Sequence, residues 1–123
     1  MELIDEQSRR RAFKSLRCLT FNSFFYQEIK VNALNAEAVI EKHSLYCDES
    51  KWLYHLARAE ADFAWLIKVG ILRREVDGQG ITSRVKLTPM GRQIIEECPE
   101  LPDQQAGLIE YGTYFIQRNF SLR

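Results

Sequence analysis

Residues 70–92, GILRREVDGQGITSRVKLTPMGR, decide how this chain folds. Ile71, Leu72 and Val76 are strand formers. Asp77-Gly78-Gln79-Gly80 then reads as a turn, because glycine reaches positive φ without steric cost. Ile81 to Leu87 alternates, with Ile81, Ser83, Val85 and Leu87 on one face and Thr82, Arg84 and Lys86 on the other. Thr88 suits a helix N-cap, and Pro89 suits the first helical position, where its missing N–H costs nothing. The stretch predicts strand, tight turn, strand and the start of a helix.

Working back from Gly70, the run from Glu49 to Val69 reads as one long helix with Asp48 as its N-cap. Trp52, Leu56, Ala59, Phe63, Leu66 and Ile67 recur at helical spacing, and Leu53, Ala57, Ala61, Ala64 and Trp65 widen the apolar face. Gly70 ends it as a C′ glycine, and Lys68 sits favourably near the negative end of the dipole. A hairpin braced between two helices has the shape of a wing. Leu66-Ile67-Lys68-Val69-Gly70-Ile71-Leu72 resembles the end of a recognition helix running into a strand. Val85-Lys86-Leu87-Thr88-Pro89-Met90-Gly91-Arg92 resembles the strand that leaves a wing and enters the next helix. On these residues the chain resembles the winged helix-turn-helix domains of the MarR, PadR and HxlR regulators. The resemblance implies a mainly α fold with a small β-hairpin wing and extra N- and C-terminal helices. Residues 1–123 would form a single domain: N-terminal helices over 1–35, a winged-helix core over 36–98 and a C-terminal helix over 99–123.

The 123-residue length suits one domain with a proper core. Seventeen bases balance seventeen acids, so DNA binding would have to rest on local patches rather than bulk charge. No apolar run reaches the length of a membrane span, and MELIDEQSRRR lacks the apolar centre of a secretory signal. Cys18, Cys47 and Cys98 are an odd, scattered set, which suggests buried thiols in a reducing, cytoplasmic setting.

The first helix is expected over residues 5–18, with Ala12, Phe13 and Leu16 on its apolar face. Arg9, Arg10, Arg11, Lys14 and Arg17 form a basic run that reads either as a phosphate-contacting helix or as a solvated face. Phe21, Phe24, Phe25 and Tyr26 follow, in a second helix that Asn22 or Ser23 would cap; such a cluster reads as core or as a subunit interface. A short helix is expected from Ala36 to His43, and Ser44 to Cys47 carries no clear signal. Beyond the wing, a helix over Pro89–Glu97 ends at Cys98-Pro99-Glu100-Leu101-Pro102. A last helix then starts near Asp103, its apolar side formed by Leu108, Ile109, Gly112, Phe115, Ile116 and Phe120. Its partner is either the first helices of the same chain or, as the resemblance implies, the same helix of a second copy in a homodimer.

For DNA, the candidates on the long helix are Lys51, Tyr54, His55 and Arg58; those on the wing are Arg73, Arg84 and Lys86. From 48 to 69 four acids outweigh three bases, whereas from 70 to 92 five bases outweigh two acids. The wing is therefore the friendlier side for phosphates. His43, Cys47 and His55 lack a fourth metal ligand, no glycine-rich phosphate loop follows a strand, and no nucleophile–base pair can be defended from spacing. The expectation is a DNA-binding transcription regulator, not an enzyme, without cofactor or metal. The alternative is a winged-helix protein-interaction module that does not bind DNA. A small ligand among Phe21, Phe25, Tyr26, Trp52 and Trp65 is compatible with the first reading.

Overall fold

The computed structural model describes residues 6–18, 21–47, 55–103, 112–116 and 118. The described chain is mainly helical with one two-stranded antiparallel hairpin. The helices are α1 (Glu6–Cys18), α2 (Ser23–Val31), α3 (Ala36–Glu41), α4 (His43–Tyr46), α5 (Leu56–Lys68) and α6 (Pro89–Glu97). The strands are β1 (Leu72–Asp77) and β2 (Gly80–Leu87). A 3-10 turn over Leu101–Asp103 packs on α1, and residues 112–116 are again helical.

Local chemistry sets the helix starts. Asn22 Oδ1 accepts the Phe25 N–H at 3.0 Å, and Asn35 Oδ1 accepts the Ala38 N–H at 2.9 Å, each satisfying an orphan donor of a first turn. Thr88 does the same for Gly91 at 2.9 Å, with Pro89 next to it. At the other end of α5, Gly70 adopts φ 92°, and Ile71 N–H reaches back to the Leu66 carbonyl at 2.9 Å. Gly70 N–H donates to Ile67 at 3.1 Å, so the two bonds form a Schellman stop sealed by buried Leu66 and Ile71.

Two boundaries differ from the sequence expectation. The single helix over 49–69 does not hold: His55 is extended (φ −136°, ψ 175°), and α5 begins only at Leu56. Asp48, expected as the cap, lies outside the described residues. The His55 side chain takes that role, accepting the Arg58 N–H at 3.4 Å. The expected helix Ala36–His43 breaks at Lys42 (φ −120°, ψ 40°), and the unassigned segment after it winds into α4.

Phe21, Phe25, Tyr26 and Phe63 fill the centre, with Phe21 stacked on Phe25 at 4.3 Å between ring centroids and Phe25 on Phe63 at 6.2 Å. Of the aromatic cluster expected as core, Phe21, Phe25 and Tyr26 are buried, whereas Phe24 points outward and is 45% exposed. The core extends through Leu66, Ile71, Leu72, Val85, Ile94 and Ile95 to the base of the hairpin. Leu34 bridges Val85 beside the hairpin, with both backbone bonds made (3.2 and 2.8 Å). No helix among the described residues is long and apolar enough to cross a membrane.

Candidate nucleic-acid interface

The hairpin pairs Leu72 with Leu87, Arg73 with Lys86, Arg74 with Val85, Val76 with Ile81 and Asp77 with Gly80. An irregularity between Arg74 and Val76 leaves extra residues on β2. Gly80 supplies the positive φ of the turn, and Asp77 Oδ1 accepts the Gln79 N–H at 2.8 Å. Leu72, Leu87 and Val85 are buried, which turns the Arg73–Lys86 pair toward the opposite, solvent side.

The hairpin carries four cations with two different fates. Arg84 donates from Nε to Glu75 at 2.6 Å and lies 3.7 Å from Asp77. The bond to Glu75 raises its already high pKa, so it stays charged but locally neutralised. Arg74 reaches Glu60 on α5 at 3.4 Å and donates to the Ser83 carbonyl at 2.8 Å, which ties the hairpin to the helix. Arg73 is exposed and Lys86 half-buried, and no carboxylate among the described residues lies within ion-pair distance of either.

The expected site is therefore only partly assembled. Arg73, Lys86 and Arg84 all belong to the hairpin, but Arg84 is engaged with two acids. Arg58 is exposed at the start of α5, next to His55, whose ring nitrogen is occupied as a cap. Lys51 and Tyr54 lie outside the described residues. The other exposed residues of α5 are Leu56, Ala57, Ala61, Ala64 and Lys68, and the leucine and alanines carry no polar group that reads a base edge. Lys68 lies over the Trp65 ring at 5.9 Å. Arg74 and Glu60 were missed as a pair because nothing local signals a contact fourteen residues apart.

The N-terminal basic run is also partly engaged. Arg9 pairs with Glu97 on α6 at 2.9 Å and lies over the Phe13 ring at 5.2 Å. The hairpin's outer half adds an apolar feature: Val76 and Ile81, cross-strand partners, are 61% and 77% exposed.

Comparison with known proteins adds one finding. No curated protein and no solved structure matches the chain. A family model described as Npun_F0494-like matches residues 3–118, and the chain belongs to the Npun_F0494-like family.

Proposed function

We propose that this is a small winged-helix DNA-binding protein of the cytoplasm, a transcription regulator rather than an enzyme, that grips the DNA backbone through its hairpin. Support for the winged-helix reading comes from element order. Helix α2 leads to extended Leu34, then to α3, the one-turn α4 and α5, then to the hairpin, with Leu34 bridged to β2 as a one-residue third strand. Counting α4 as a short insertion between the two longer helices, that is helix, strand, helix, helix, strand, strand.

The observation that carries the function is the Arg73–Lys86 pair. Like charges directly opposite each other in a sheet destabilise it, and no described acid offsets these two. A phosphate would. The alanine face of α5 favours a backbone grip over base reading in that part of the helix. A homodimer through the C-terminal helix would double the basic surface; exposed Phe115 and Ile116 are consistent with such a partner.

The test is retardation of random-sequence duplex DNA at two salt concentrations. Arg73→Ala with Lys86→Ala should weaken binding on every sequence and lower the salt slope by about 2. Arg84→Ala should do much less, since its charge is already compensated within the hairpin. Unchanged binding by the double variant removes the hairpin from the interface.

A protein-docking module is the second reading, favoured by the exposed Val76–Ile81 pair in the hairpin's outer half. Under it, Ile81→Ser abolishes partner capture, and the wild-type chain retards no DNA even at low salt.

A further inference from the structure

One face of the hairpin mixes cations with carboxylates. Strand alternation sets Arg73, Glu75 and Asp77 on the same side of β1, and Arg84 and Lys86 on the same side of β2. The Arg73–Lys86 pairing and the Arg84–Glu75 bond join these sides into one face. The ladder steps from Arg74–Val85 directly to Val76–Ile81, so Glu75 alone lies opposite Thr82, Ser83 and Arg84. Regular pairing outward from Asp77–Gly80 would set Arg84 against Arg73, cation on cation. The extra residues of β2 bring Arg84 to Glu75 instead.

Several bonds fix it there. Arg84 Nε donates to Glu75 Oε1 at 2.6 Å, and Nη2 lies 3.7 Å from Asp77 Oδ2. The Arg84 backbone N–H donates to Thr82 Oγ1 at 3.2 Å, and that hydroxyl donates to the Glu75 carbonyl at 2.9 Å. The charges are still wet: the Arg84 and Glu75 side chains are 41% and 28% exposed. An ion pair this exposed contributes little to stability, so holding the fold together does not account for it. A guanidinium binds a carboxylate and a phosphate in the same way. Glu75 therefore fills the place on Arg84 that a phosphate oxygen would take.

We propose that Glu75 is an internal phosphate surrogate that withholds Arg84 from DNA, an autoinhibitory contact that rests on the DNA reading of the hairpin. The hairpin docks on the backbone through Arg73 and Lys86 while Arg84 stays on Glu75, with Asp77 behind it. The pairing limits the sequence-independent grip, and a chain lacking the Glu75 carboxylate grips harder.

Retardation of random-sequence duplex DNA by the full chain across a salt series tests this. Glu75→Gln keeps the side chain's size and removes its charge. It should tighten binding about three-fold or more at low salt and steepen the salt slope by about 1. Arg84→Ala should change the wild type by less than about two-fold, yet cost the Glu75→Gln protein about three-fold or more. Equal losses in the two backgrounds would mean that the charges act on DNA independently, which overturns the surrogate; so does unchanged binding by Glu75→Gln. NMR of the Arg84 Nε–H gives a direct readout. Its exchange with water should be slow in the free wild type, fast in free Glu75→Gln, and slow again in Glu75→Gln once DNA is added. A signal in Glu75→Gln that ignores DNA overturns the release. Arg73→Ala with Lys86→Ala separates the two failures. If that variant loses binding while Glu75→Gln matches the wild type, the DNA reading stands and the surrogate falls. If neither the wild type nor Glu75→Gln retards any duplex, the DNA reading falls and takes the surrogate with it.

Discussion

Thr88 does more than cap a helix. Its oxygen accepts the Gly91 N–H, while its hydroxyl donates to the Gly70 carbonyl at 2.5 Å, and its own N–H donates to Ile71 at 2.9 Å. The start of α6 is thereby fastened to the stop of α5. Thr88→Val keeps the shape and loses both hydroxyl bonds, and should cost about 1–2 kcal/mol, measured by denaturant unfolding. Thr88→Ser should lose much less. Gly91 sits one turn on, buried, and a Cβ there would collide with the Ile71 carbonyl oxygen. Gly91→Ala should therefore destabilise by about 1–3 kcal/mol, although the same change in an open helix would stabilise. Gly78, with open space around it and no positive φ, is the control: Gly78→Ala should be neutral or slightly stabilising. The cap was legible in the sequence because threonine followed by proline is a local signal. The need for glycine at 91 was not, because the clashing atom lies twenty residues away.

At the scale of elements, the hairpin shows what a period-2 pattern can and cannot say. The alternation names Ile81, Ser83, Val85 and Leu87 as one face, yet only Val85 and Leu87 are covered. The hairpin runs past the edge of the core, so its outer half has nothing to pack against, and parity alone carries no information about reach. The start of α5 was illegible for a different reason. Apolar spacing continues unbroken from Trp52 to Ile67, and histidine is not among the preferred caps, so no residue announced the break at His55. Of the expected site, even the Arg73–Lys86 pairing could not be inferred from the turn, because regular pairing outward from Asp77–Gly80 would set Arg73 opposite Arg84, and the irregularity between Arg74 and Val76 moves it to Lys86. The capture of Arg84 by Glu75 depends on the irregularity in β2, which the pattern does not reveal. The register also separates stability from function. Arg73→Glu replaces a repelling cross-strand pair with an attracting one, and should raise stability by about 0.2–1 kcal/mol in thermal unfolding. In the same protein, DNA retardation should fall. A variant that loses stability and keeps binding would refute the idea that the pair is held for a phosphate.

Across the whole molecule, contacts between distant segments tie the chain ends to the centre. Arg9 of α1 reaches Glu97 of α6, and the hydrogen bond from Arg9, then that from Gln93, holds the Glu97 carboxyl below its ordinary value. A depressed folded-state pKa means that this contribution is present above the unfolded value and lost as pH falls through the folded one. Arg9→Ala should accordingly flatten the acid side of the stability–pH curve by lowering its neutral end, only slightly because the pair is largely solvent-exposed, and should leave stability below the folded-state pKa unchanged. Trp65 forms the deeper tie. Its Nε1–H donates to Ser15 of α1 at 2.9 Å across fifty residues, while its ring meets Tyr114 of the C-terminal segment. Ser15 is fully buried and Trp65 nearly so. Removing either partner alone strands the other without water to replace it. Trp65→Phe and Ser15→Ala should each cost about 1–3 kcal/mol. The double variant should cost less than their sum by about 1 kcal/mol or more, because the second change removes a group already stranded by the first. Denaturant unfolding of the four proteins decides it. Strict additivity would mean that α1 and α5 are joined by apolar packing alone, and that the bond at their centre contributes nothing to holding the N-terminal helix in place.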